Sequence, residues 1–288
     1  MKSIITIALA LIIPIGSALA QISEKQTLTI PLSKPGERGR LLIDLVNGSI
    51  KVTGYTGSEV LITAMPADEA MHKINSECEG CPKHKDKDRS ADRDDDRSSG
   101  MKRISSNPIE LEATENNNVV DIESNSWKRG ITLEVKVPAN FDLKLSTVNR
   151  GDITVTGVNG AIDVANVNGA ITLTNIAGSV LGNTVNGDIK ADFNKVNNNE
   201  PMAFTTLNGD IDVSFPTGIK ATTKMKSERG EIFSDFDMKV RQSEPKSSRD
   251  GREFKIEINA WVYGDINGGG PEYKMQNMNG NIYIREQK

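Results

Sequence analysis

Aromatic side chains make up only 5% of the 288 residues, and there are just two cysteines and two histidines. Basic residues are not in excess either: 35 Lys and Arg face 39 Asp and Glu, for a net charge of −4 and a pI near 5.5. A nucleic-acid footprint, which needs a basic domain or stripe, is thereby excluded. The 25 glycines lack a three-residue period, which excludes collagen. The nucleophile-elbow, P-loop and dinucleotide fingerprints are missing, and the run Gly268 to Gly270 is followed by Pro271 rather than by a helix, so it reads as a turn. Helical periodicity is weak throughout, Ala64 to Asn75 being the best stretch for it. With only 36% hydrophobic residues, the core should be thin. What the chain has in quantity is asparagine, as common as glycine at 25 residues, seven of them directly followed by Gly. Turns are therefore a major constituent.

The first twenty residues carry Lys2, an apolar run from Ile4 to Ile15 broken only by Thr6 and Pro14, and Ser17-Ala18-Leu19-Ala20 before Gln21. This is the pattern of a signal peptide with cleavage after Ala20. The run falls short of the ~20 residues that span a bilayer. No second long apolar stretch follows, and no Cys follows the cleavage site. The expected location is the periplasm, the cell surface or the extracellular space, with no transmembrane segment after cleavage.

From Thr147 to Phe193 the chain reads TVNRGDITVTG, VNGAIDVAN, VNGAITLTN, IAGSVLGNT, VNGDIKADF. Gly151, Gly160, Gly169, Gly178 and Gly187 recur every nine residues, and Ile153, Ile162, Ile171, Val180 and Ile189 follow each Gly by two. A third column, Val155, Val164, Leu173, Gly182 and Ala191, loses apolar character in its last two members. The period-two alternation around each Ile is that of a half-buried strand, and Asn-Gly supplies a bend. Val158, Val167, Ile176 and Val185 are expected to point inward as a second core row. A strict repeat fits a β-solenoid better than a hairpin meander, because stacked coils place like residue on like. If successive units lie on opposite sheets, one coil takes eighteen residues. Gly209 with Ile211, and then Gly230, continue the series at spacings of 22 and 21, each close to one full coil. Similar segments surround Gly48 and Gly280. The expected organisation is a cleaved segment 1–20 and one domain, 21–288. The charged stretch at about 71–106 is expected to be a disordered insertion, since Lys83 to Arg103 holds eight Lys or Arg and six Asp and no surface worth burying.

The run from Ile131 through the repeats, with TVNGDIKADF and TLNGDIDVSFP, resembles the bacterial putative-adhesin family of β-strand-repeat proteins, DUF4097. The resemblance covers Ile131 to the C-terminus and begins near Leu41. It implies an all-β, right-handed β-solenoid or β-helix in exported or envelope-associated proteins, and it brings no catalytic residues. The insertion from Met71 to Arg103 departs from the family.

Candidate chemistry is sparse. Cys78 and Cys81 are spaced C-x-x-C, with His72 and His84 close on either side. In an exported chain a local disulfide is the first reading. Four-ligand zinc binding by the two Cys and two His is the alternative, and zinc is the one cofactor the sequence could imply. Asp210 and Asp212 share a strand face at a separation suited to an inverting glycosidase, and Asp163, Asp188 and Asp192 project from other coils. Strand faces need polar residues in any case, so a carbohydrate-active enzyme is only the alternative reading. Calcium β-rolls need a doubled Gly and a recurrent Asp at the turn. Here Asn149, Asn159, Asn168 and Asn186 take the turns, and stacked Asn would hydrogen-bond along the axis. The reading is thus a non-catalytic envelope-binding or structural module, with an envelope protein or a glycan as partner. Its structural repeat residues are Gly151, Gly160, Gly169, Gly187, Gly209, Ile153, Ile162, Ile171, Ile189 and Ile211.

Overall fold

The computed structural model describes residues 26–67, 111–124, 130–149, 151–197, 199–242, 246–250, 253–257 and 261–287. The signal-like segment and the Cys/His insertion lie outside them. Every secondary-structure element in the described residues is a strand, so the protein is all-β. Of the stretch Ala64 to Asn75, residues 64–66 close the strand Glu59–Pro66, and residues 68–75 lie outside the described residues.

The short strands assemble into two stacks, and the chain visits them alternately. In the first, Ile50 pairs with Ile153, Ile153 with Ile171, Ile171 with Ile189, Ile189 with Ile211 and Ile211 with Ile282, all in parallel register. In the second, Leu41 pairs with Leu143, Leu143 with Ile162 and Ile162 with Val180, again parallel. Residues nine apart thus sit on opposite stacks and residues eighteen apart are neighbours. The alternation that places Ile inward on both stacks leaves the isoleucines of these columns at most 2% exposed.

Order along the stack departs from order along the sequence at both ends. The spacing of 21 from Gly209 to Gly230 looks like one coil, yet Ile282 lies between their strands, paired with Ile211 on one side and Ile232 on the other. The long strand Gly39–Tyr55 is likewise interior. Its first half pairs with Val119–Ser124 and Phe141–Asn149, its second half with Ile131–Pro138 and Ile153–Thr156. The stack closes with antiparallel strands: Glu59–Pro66 and Gln26–Pro31, Leu111–Asn116, and Val262–Ile266 with Met238–Gln242. Residues 28–31 therefore lie at an end of the stack, whereas Leu41 to Leu45 lie inside it.

Gly182, where the apolar column fades, is in register with Phe204, whose ring fills the space a larger residue would take. Phe204 packs edge-on to Phe193, which stacks on Phe215, and Phe215 stacks on Tyr273. All four are fully buried. The Tyr273 hydroxyl is buried without a protein partner, and burial pushes its pKa up to about 12.

Two kinds of glycine follow from this packing. A Cβ on Gly182 would meet Phe204, Ile189 and Val180 at 3.5–3.8 Å, whereas one on Gly187 would lie 2.1 Å from the Gly169 carbonyl oxygen. Gly182→Ala should therefore raise stability by about 0.4–1 kcal/mol through the unfolded chain's lost entropy. Gly187→Ala should lower it by about 1–3 kcal/mol or more. Urea midpoints check both. Because the folded pKa of Tyr273 exceeds the unfolded value near 10, the unfolded phenol ionises first, and stability should fall as pH rises from 10 through about 12. Alkaline unfolding curves of Tyr273→Phe should be flatter in that window.

Candidate functional site

One corner of the stack recurs from rung to rung, and four positions there have fixed roles, successive in the chain except where Arg150 stands between Asn149 and Gly151. The first is polar and points inward: Thr147, Asn166, Thr184, Thr206 and Asn277 are all at most 6% exposed. Each donates to the carbonyl of a glycine on the neighbouring rung. Asn166 Nδ2 reaches Gly151 O at 2.8 Å, Thr184 Oγ1 reaches Gly169 O at 3.1 Å and Thr206 Oγ1 reaches Gly187 O at 3.0 Å. Thr147 serves Gly48, Asn277 serves Gly209 and Ser227 serves Gly280 in the same way. A buried or part-buried carbonyl left unpaired would be costly, so these side chains complete the corner.

The second residue points out. Val148, Val185, Leu207 and Met278 are 37–41% exposed and Val46 is 45% exposed, forming one line with the half-buried Val167. Their register is set by backbone bonds from the following asparagines: Asn168 N to Val148 O, Asn186 N to Val167 O, Asn208 N to Val185 O and Asn279 N to Leu207 O. Val158 and Ile176 are buried as a second core row would be, but Val185 and Val167 are not. The inward places are held by Thr184 and Asn166.

The third residue is asparagine, and its side chains form a ladder. Asn168 donates to Asn149 at 3.3 Å, Asn186 to Asn168 at 2.9 Å, Asn208 to Asn186 at 2.8 Å and Asn279 to Asn208 at 2.6 Å. Arg229 ends the row with a 3.4 Å bond to Asn279. Asn159 belongs to another turn, where it donates to Asn140.

The fourth is the glycine. A Cβ on Gly151, Gly169, Gly187, Gly209, Gly280 or Gly230 would fall 1.8–2.2 Å from a glycine carbonyl oxygen of the adjacent rung, and on Gly160 it would strike Phe141 O at 2.2 Å. Close approach of rungs is therefore what demands glycine here.

The carboxylates are engaged in this framework. Asp188 accepts from Asp210 N at 2.8 Å and Asp210 accepts from Asn281 N at 2.7 Å. Asp192 accepts from Gln287. Asp212 holds Arg285 through two bonds, at 2.7 and 3.1 Å. Arg285 also lies over the Tyr283 ring, which stacks on Phe233 at 5.2 Å. On the second stack Lys224 and Lys274 both lie over Trp261, at 5.0 and 5.6 Å. Among the described residues no group of three or more His, Cys, Asp or Glu is placed to hold a metal. Cys78, Cys81, His72 and His84 are outside those residues.

Sequence reasoning missed the inward polar residue and the exposed stripe. Their shared signal was present, a Thr, Asn or Ser three positions before the glycine in TVNG, NVNG, TLNG, NMNG and SERG. Asn186→Ala removes two exposed ladder bonds and should cost about 1 kcal/mol, whereas Thr206→Val takes the side-chain donor from the part-buried Gly187 carbonyl and should cost about 1–3 kcal/mol. Thermal unfolding of the two variants should rank them in that order.

Among solved structures, three are similar to this chain at low identity. A "putative cell adhesion protein" from Clostridium sporogenes has 9% identity and a TM-score of 0.41, over 92% of this chain and 100% of that one. A "putative adhesin" from Bacteroides fragilis has 8% identity and a TM-score of 0.29, over 92% and 97%. A "putative lipid binding protein" from Parabacteroides distasonis has 9% identity and a TM-score of 0.22, over 93% and 98%. No curated protein matches the chain. The Toastrack DUF4097 family matches residues 12–284, nearly the whole length, and the chain belongs to that family.

Proposed function

We propose that this protein is an exported right-handed β-solenoid that serves the cell envelope as a non-catalytic binding or structural module. The observation that carries this reading is the corner, which presents one outward apolar side chain and one amide per rung on a rigid parallel stack. The eighteen-residue return of the chain to the same stack, together with the right-handed preference of parallel crossovers, supports the solenoid. The pattern from Lys2 to Ala20 supports export, leaving residues 21–288 as one domain interrupted by a charged insertion at about 71–106. In that insertion Cys78 and Cys81 form a local disulfide in an oxidising compartment. A zinc site with His72 and His84 is the alternative, and no other cofactor is proposed. The partner is an envelope protein or a glycan; the net charge of −4 opposes nucleic acid. No helix among the described residues is long and apolar enough to cross a membrane.

The rival reading, a glycan-cleaving enzyme, asks Asp210 and Asp212 to do proton transfer, yet both are held by backbone or Arg285. The test is co-sedimentation of the intact protein with isolated cell envelopes. Saturable retention that is unchanged in Asp210→Asn/Asp212→Asn is expected. Failure of envelopes to retain the protein would overturn the binding role, and glycan turnover abolished by those substitutions would install the enzyme.

A further inference from the structure

The exposed stripe has no structural need to be apolar on every rung, and the Asn ladder beside it has hydrogen-bonding capacity beyond its own row. We propose that Val46, Val148, Val167, Val185, Leu207 and Met278, with the amides of Asn186 and Asn208 alongside, bind an extended β-1,4-linked polysaccharide of uncharged sugars lying along the stack axis. The inference rests on the envelope-binding role above and names its ligand.

Rung spacing comes first. Neighbouring strands lie about 4.8 Å apart, so the six apolar side chains form a straight track on the order of 24 Å long. An extended β-1,4-linked chain advances by nearly one rung per sugar. Both faces of each such sugar carry axial C–H groups, so every unit can rest on one aliphatic side chain despite the alternation of the chain. A peptide strand repeats like-facing residues at roughly 6.6–7 Å and loses register within two rungs. A helix, with its ~5.4 Å pitch, drifts by about half a turn over the track.

Chemistry points the same way. In the ladder Asn186 and Asn208 each spend one N–H and accept one hydrogen bond. A primary amide has two donors and two lone pairs, so each keeps one of both kinds for a hydroxyl. Beyond the ladder run Asp152, Asp188 and Asp210, each already accepting a backbone N–H. That acidic column repels polyanions and anionic headgroups. Sinking the stripe into a bilayer would also desolvate the flanking amides and carboxylates at high cost. A second copy is a poor fit: the stripe exposes on the order of 400 Å², enough for a functional patch but short of the ~800 Å² per partner of a stable protein interface.

Calorimetric titration of the intact protein tests this with cello-oligosaccharides and N-acetylglucosamine oligomers, from disaccharide to hexasaccharide, and with maltohexaose as the α-linked control. Affinity for one or both β-linked series should rise with length up to the hexamer. It should fall by about tenfold or more in Val185→Thr/Leu207→Thr, a pair of exposed changes whose unfolding midpoint should stay near that of the parent. Phe233→Ala, on the other outward face, should bind as the parent does. No binding of either β-linked hexamer overturns the proposal. So does equal affinity for maltohexaose, loss in Phe233→Ala but not in the stripe variant, or self-association through the stripe detected by sedimentation velocity. If the parent and the stripe variant sediment equally with envelopes while no oligosaccharide binds, the stripe proposal falls and the envelope role stands. If envelopes retain neither, both fall.

Discussion

Glycine resting on a glycine carbonyl of the next rung is the contact on which the rest of this protein depends. At that corner the backbones come so close that a single methyl group would overlap the neighbour's oxygen. Such proximity lets the inter-rung ladder run through the bend: Gly169 N reaches Asn186 O, and Gly187 N reaches Asn208 O, both at 2.9 Å. Once the corner holds, the isoleucine two residues later falls into register without further instruction.

The same closeness explains the chemistry around the glycine. Its carbonyl is only partly open to water, and a short polar side chain comes from inside to pair with it, so that Thr, Asn or Ser occupies that place. The asparagine before the glycine turns its amide along the axis because the spacing of strands is also that of a hydrogen-bonded amide row. The residue between these two polar neighbours has only solvent to face, whatever its hydrophobicity. Aspartates on the far side take backbone N–H groups of the next rung, which turns groups that could look catalytic into parts of the frame.

These constraints differ in how plainly they show in sequence. The glycine and isoleucine columns were legible because only one residue fits the first and a buried strand position selects the second. Val167 and Val185 read as inward when hydrophobicity alone is weighed, whereas the alternation that starts at Ile162 or Val180 continues to Asn166 and Thr184 and turns the next residue outward. The placement of Ile282 between Ile211 and Ile232 was invisible, since a spacing of 21 is consistent with a neighbouring coil and sequence distance does not say which coils touch. Gly182 looked like a weak point of the core; the ring that fills it comes from Phe204, on the next rung.

The interleaved termini change how such a molecule can assemble. A simple repeat stack can grow outward from any nucleus, each rung adding to a finished surface. Here the strand Gly39–Tyr55 waits for partners roughly a hundred residues later, and the last strand of the chain enters a slot between two earlier ones. The slot between Ile211 and Ile232 is filled by a strand about fifty residues or more further along the chain than either neighbour, so the stack is fastened like a clasp rather than a zipper. Contacts of such long sequence separation raise the loop-closure cost of reaching the native stack and slow its folding.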